Sequence, residues 1–349
     1  MKTRTALRTG LIAGLMAATA SVNANELSVV GSWSGLELHR VFENPYWSEV
    51  LPEASGGGLT VSLTTHDQMG LDGADVYNML SEGLYDVGMT VMNYAVQDAP
   101  EMEALDLPMI SLDVETARSL TEAYMPIADI GMERRYDAKV LAIVPYPQQI
   151  VFCRDSVDGL EDLAGRNIRA SGRTTAEFLD GVGANSLNID FGEVPGALSR
   201  GVIDCAVTGS MSGYSSAWYE MASYLYTLPA GGWDYVVTAI RNDTWNNLSA
   251  EQQDILQSTI QTEFTDKVWA NAVVDTQRGV ACLTGQGGEC NAGDAQNMVL
   301  VEPSEADLER SMEILQEIVL PNWARRVDQD IVDMWNDAIG SQLDLTASR

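Results

Sequence analysis

The chain has 349 residues, with 20 Lys+Arg against 50 Asp+Glu and a formal net charge of −30. A surface this acidic repels nucleic-acid phosphates and anionic lipid headgroups, which argues against DNA, RNA and membrane-surface binding. With 46% hydrophobic and 20% charged residues, the chain can bury real cores and is not disordered. Its length allows about two domains of ~150 residues. Only Lys2, Lys139 and Lys267 are lysines, so nearly all positive charge is arginine. Self-repulsion in dilute buffer is relieved by salt, which fits a salt-loving source and an ordinary acidic exported protein equally well.

Residues 1–24 read as a secretory signal peptide. Lys2, Arg4 and Arg8 form a basic start, Leu11 to Val22 is an apolar run too short for a comfortable membrane span, and Val22-Asn23-Ala24 resembles a cleavage site. The expected location is therefore periplasmic. The segment holds three basic residues and no acid, so its removal takes the charge to −33. Export permits disulfides. Cys282 and Cys290 bracket a flexible Gly-rich turn, which favours pairing them and leaves Cys153 with Cys205, both in strand-like runs. With no CxxC and no Cys/His cluster, neither a metal site nor a cofactor is expected.

In chain order, Leu27 to Val30 reads as a first strand, followed by a loop of small residues around Trp33. Leu59 to Thr64 alternates like a strand after Gly56-Gly57-Gly58. Val76 to Thr90 then aligns without gaps on Val194 to Thr208, matching Val, Leu-Ser, Gly, Asp and Thr in register. Each copy reads as a short helix ended by glycine and then an apolar strand ending at threonine. This predicts two similar α/β units with mostly parallel sheets, whose ligand lies beyond the carboxyl ends of the strands. Thr90 and Thr208 would then face a shared cleft. Val140 to Val144 and Gln149 to Cys153 are strands separated by Pro145-Tyr146-Pro147, and Tyr235 to Ile240 is another. Ser249 to Gln252 forms a capping box that opens a helical pattern to about residue 280, roughly 45 Å long. A further helical region covers about 304–340.

Asp162-Leu163-Ala164-Gly165-Arg166-Asn167-Ile168-Arg169 is followed by Gly183-Ala184, Phe191-Gly192-Glu193-Val194 and the Leu198 to Asp204 run. Upstream stand Gln68-Met69-Gly70 and Leu105-Asp106-Leu107-Pro108. In order and spacing this resembles the solute-binding proteins of tripartite ATP-independent periplasmic (TRAP) transporters, the DctP-like family, over nearly the whole exported chain. The resemblance implies a two-lobed periplasmic binding protein fold (type II-like) with a hinge and a long bracing helix. Lobe one would hold 25–147 plus 235–275, and lobe two 148–234 plus 276–349. It also implies a monomeric receptor that closes on a small organic acid and delivers it to TRAP membrane subunits.

By the same resemblance, Arg169 matches the arginine that pairs with the ligand carboxylate, a job that suits a guanidinium fork. Phe191 matches an aromatic packed on the ligand. Thr208 falls where many relatives have Asn, and Gln148 or Gln149 where some have a second arginine, which argues against a strongly dianionic ligand. Position alone adds Trp33, Met92, Asn93, Tyr146, Ser210, Met211, Tyr214 and Trp233 to the cleft, with Thr90. Aromatic and Met side chains around one arginine point to a monocarboxylate with an apolar or aromatic body. His39 and His66 read as structural or solvent-facing. The rival readings are a secreted hydrolase, which lacks a Gly-x-Ser-x-Gly elbow and a convincing histidine, and an ABC-type or signalling receptor of the same two-lobe design.

Overall fold

A computed structural model describes residues 24–286, 290 and 293–349. The expected signal segment, up to residue 23, lies outside the described residues. The chain starts with β1 (Asn25–Gly31), β2 (Leu59–Thr65), β3 (Val87–Val91) and β4 (Ala138–Val144). It crosses over to β5 (Gln149–Cys153), β6 (Asn167–Ala170), β7 (Asn185–Asn188), β8 (Cys205–Gly209) and β9 (Tyr224–Tyr226). It then returns as β10 (Val236–Arg241) and adds β11 (Val299–Val301) at the far edge. The result is two mixed sheets, ordered β2-β1-β3-β10-β4 and β11-β9-β5-β8-β6-β7, in an α/β two-lobe fold.

The half-hidden repeat is visible in three dimensions. The helices Asp75–Ser81 and Val194–Ser199 are each followed by a glycine in the left-handed region, Gly83 at φ 77° and Gly201 at φ 68°. A side chain there would be strained, whereas glycine turns the chain freely into the next strand. That strand occupies the same place in each sheet. β3 runs parallel to β1 and antiparallel to β10, and β8 runs parallel to β6 and antiparallel to β5. Both are buried along their whole length, which is why neither shows polar alternation in the sequence.

The two sheets are joined by neighbouring crossovers, β4 to β5 and β9 to β10. Their backbones bond to each other, Tyr146 N–H to the Trp233 carbonyl at 2.9 Å and Gln149 N–H to the Gly232 carbonyl at 3.0 Å. A third connection is a continuous helical rod, residues 250–284, with a π-helical turn at Ile260–Thr265. It opens on the Ser249–Gln252 capping box and stops at Gly285, φ 71°. Its π-helical turn packs beside β4, and its C-terminal part packs against the helix Ser210–Ser215 that follows β8. It therefore braces both halves, and at ~1.5 Å per residue it outruns the expected length by about one turn. The C-terminal helices from Glu305 lie across both halves. Trp323 and Trp335 donate their indole N–H groups to the Pro100 and Ala104 carbonyls.

Both disulfides expected from spacing are present, Cys153–Cys205 and Cys282–Cys290. The first links directly paired residues of β5 and β8. Among the described residues, no helix is long and apolar enough to cross a membrane.

Candidate ligand cleft

Arg169 sits on β6 and is 2% exposed. Its Nε donates to the Ile189 carbonyl at 2.9 Å and its Nη1 to the Val207 carbonyl at 2.7 Å. One carbonyl lies in the middle of β8 and the other just past the end of β7, so the guanidinium is clamped between the two strands that flank β6. Nη2 has no hydrogen-bond partner among the described residues. A buried guanidinium with one free prong is a ready carboxylate site, because a charge-assisted bond there is short and poorly screened.

Two adjoining cavities lie near Arg169, which lines neither but acts electrostatically on Tyr94 and Asp190 at their shared wall. One, about 320 Å³, is lined from the first half by Trp33, His66, Asp67, Asp72 and Tyr94, and from the second by Asp190, Phe191 and Glu193. The other, about 290 Å³, lies among Asn93, Tyr94, Ser171, Arg173, Asn188 and Asp190. Tyr94 and Asp190 belong to both, and Ala170 and Ser171, which follow Arg169, line the second. Trp33 is the aromatic centre. It meets His66, Tyr94, Tyr146 and Phe191 edge-on at centroid distances of 4.6, 6.0, 6.2 and 5.8 Å. The Trp33–Phe191 contact spans the two halves.

Several buried polar atoms near the cavities and the crossovers have no hydrogen-bond partner among the described residues. They include Thr90 Oγ1, Asn93 Oδ1, Asp234 Oδ1 and both amide atoms of Gln149. Such atoms are rare in folded proteins unless water or a ligand satisfies them. Asp106 closes the hinge side, accepting the backbone N–H groups of Trp233 and Asp234 at 2.7 and 3.0 Å and the Asn93 amide. Burial raises Asp234 above the usual carboxylate range, while Arg169 and Asn93 pull it down. Asp106 is raised in the same way by burial and by Asp234. Gly232 leaves room for this carboxylate, since a Cβ there would fall 2.0 Å from Asp106 Oδ1.

The expected site residues fall into two groups. Trp33, Asn93 and Phe191 line the cavities, Thr90 and Arg169 are buried near them, and Gln149 is buried against Gly231 and Gly232 in the crossover. Thr208 is buried on β8, bonded in register to Ile150 of β5. The others turn elsewhere. Ser210 donates to the Thr276 carbonyl at 3.0 Å against the bracing rod, where Gly279 permits the approach. Met211 and Tyr146 line a separate small void of about 20 Å³ on the rod side of the hinge. Tyr214 reaches the Asp294 carbonyl at 3.0 Å. Trp233 and Gln148 both spend their side-chain N–H groups on Ser111, and Met92 is core. His39 pairs with Glu43 at 2.9 Å. His66 is not solvent-facing, as it is 2% exposed and lines the larger cavity. Tyr94 and Asp190 escape sequence reasoning, because an isolated Tyr or Asp in so acidic a chain carries no signal of its own.

One ion cluster links the halves. Glu103, fully buried near the first sheet, receives Arg173 at 2.9 Å from the second and Arg326 from the C-terminal helices. Burial pushes Glu103 from 4.5 up to about 7, although Arg326 and Arg173 draw it down. A carboxyl raised in the folded state holds a proton that the unfolded chain has already released. Stability is therefore gained as pH falls through about 7 toward 4.5 and lost as pH rises. Thermal unfolding is expected at a higher temperature at pH 6 than at pH 8. Glu103→Gln should show a smaller difference, and an equal one would remove Glu103 as the source.

The family model for the bacterial extracellular solute-binding proteins, family 7 (DctP), matches residues 42–322. Among solved structures, the chain is similar to a Bordetella pertussis extracytoplasmic solute receptor binding pyroglutamic acid. That match has 18% identity and a TM-score of 0.80, covering 90% of this chain and 99% of that one. A TRAP periplasmic solute-binding protein from Desulfovibrio salexigens with bound orotic acid matches at 15% identity and TM-score 0.79, covering 90% and 99%. One from Sulfitobacter sp. NAS-14.1 with bound β-D-galacturonate matches at 16% and 0.76, covering 90% and 100%. Among the described residues, no group of three or more His, Cys, Asp or Glu is placed to hold a metal.

Proposed function

Because the chain belongs to family 7 of the bacterial extracellular solute-binding proteins, we propose that it is a TRAP-type periplasmic receptor whose cleft takes a small carboxylate with an apolar or aromatic body. The observation that carries this reading is the buried Arg169 guanidinium, fixed by two carbonyls and holding Nη2 free. Trp33, Tyr94 and Phe191 supply apolar walls. Thr90, Asn93 and Gln149 supply hydrogen-bonding groups that the protein itself leaves unused.

In this reading the lobes are 25–147 with 235–275 and 148–234 with 276–349, and the helices after Glu305 act as a strap across both. Closure is a hinge motion about the two crossovers. It brings Phe191 to Trp33 and Arg173 to Glu103, and the closed form is what the TRAP membrane subunits accept.

A thermal-shift screen of purified protein against monocarboxylates, dicarboxylates and sugar acids tests the reading. A ligand at about 100 times its dissociation constant adds roughly 2.7 kcal/mol by mass action. A shift with at least one carboxylate is expected. No shift with any of them, together with turnover of an ester substrate, would favour a hydrolase instead.

A further inference from the structure

Four carboxylates, Asp67, Asp72, Asp190 and Glu193, line the 320 Å³ cavity, and no lysine or arginine does. This is the wrong lining for a plain anion. Arg169 supplies one positive charge nearby, and Asp190 and Asp234 already lie within its field. An added carboxylate would therefore join a site with more negative than positive charge.

His66 gives an independent indication of what the cavity accepts. Its Nδ1 bonds the Leu71 carbonyl at 3.2 Å. A carbonyl only accepts, so Nδ1 carries the proton. Burial lowers the His66 pKa even though Leu71, Asp67 and other nearby acids favour the charged form, and the ring stays neutral. Nε2 is then a lone-pair acceptor on the ring, which is 2% exposed as a residue, and it has no partner among the described residues. His66 is thus a neutral, unsatisfied ring in the wall of a cavity lined by carboxylates, a setting that suits a ligand bringing donors or positive charge better than a plain anion. The three rings of Trp33, Tyr94 and Phe191 make the complementary corner, since aromatic faces attract a cation.

Resting on the carboxylate-receptor reading, we propose that the ligand is a zwitterion. Its carboxylate lies on Arg169, and its cationic centre lies in the Trp33–Tyr94–Phe191 corner faced by Asp190 and Glu193. This also accounts for how a chain so strongly negative captures its solute. A zwitterion carries no net charge, so the acidic surface neither repels it nor needs salt to admit it.

The test compares pairs of equal shape that differ only in the positive charge. Glycine betaine is set against 3,3-dimethylbutyrate, and L-proline and pipecolate against cyclopentanecarboxylate and cyclohexanecarboxylate. Dicarboxylates and sugar acids form a third arm. On the full exported chain, calorimetry should show at least one zwitterion binding 10-fold or more tighter than its anionic partner. Asp190→Asn with Glu193→Gln should narrow that ratio. If an anionic partner binds as well as its zwitterion, or only dicarboxylates or sugar acids bind, the zwitterion proposal falls while the carboxylate receptor stands. If no compound in any arm binds, both fall.

Discussion

Arg169→Ala is expected to weaken ligand binding by roughly two to three orders of magnitude. Truncating one partner of a buried, hydrogen-bonded charge pair costs about 2–5 kcal/mol, much of it from leaving the other charge unpaired. The ligand carboxylate would be that abandoned charge. The same change frees the Ile189 and Val207 carbonyls, so the unfolding temperature should also fall, by an amount that leaves the protein folded at 25 °C. Arg169→Lys should recover part of the affinity, because an ammonium keeps the charge but loses the fork. Calorimetry on both variants, with circular dichroism as the control for folding, reads these effects. Unchanged affinity in a folded Arg169→Ala protein would remove this residue from the site.

The second large effect is on stability. Cys153–Cys205 closes a stretch of 52 residues, whereas Cys282–Cys290 closes one of 8. In the chain-entropy account, a cross-link stabilises by restricting the unfolded chain, and it does so more for a longer loop. The expected losses are about 4 kcal/mol for the first and about 2.5 kcal/mol for the second. Cys153 and Cys205 are also fully buried between paired strands, so the alanine pair leaves a void that adds to the loss. Urea unfolding of Cys153→Ala/Cys205→Ala and Cys282→Ala/Cys290→Ala should rank the two in that order. The reverse order would show that native-state strain, not loop length, governs these bridges.

Much of the architecture was legible in the chain because it rests on local rules. Gly83 and Gly201 mark turns that only glycine makes easily, and the Ser249–Gln252 box marks the start of the rod. The matched copies ending at Thr90 and Thr208 mark equivalent strands. Arg169 was legible for a different reason, as it stands at a fixed place in a motif. The rest of the cleft depends on approach between distant segments. Asp106 meets Trp233 across 127 residues, and Trp33 meets Phe191 across the two halves. No local pattern announces such pairings. Ser210 and Met211 looked like cleft residues because they follow the end of β8. Instead they open a helix that packs on the bracing rod, where Gly279 removes the side chain that would hold them off. His66 gave no sign of its setting, since burial and its bond to Leu71 arise only in the folded chain.

The opening charge imbalance takes on a different meaning beside this cleft. For an anionic solute, the acidic surface predicts association that quickens with moderate salt. For a zwitterion, association should be nearly flat across the same range.

The most direct measurement is the identity of the solute that the protein itself retains. The account predicts that denaturing the purified wild-type protein releases a small carboxylate, identified by mass spectrometry and near one per chain, and that Arg169→Ala purified alongside releases far less. A retained solute without a carboxylate, or one held equally by the folded Arg169→Ala variant, would contradict it.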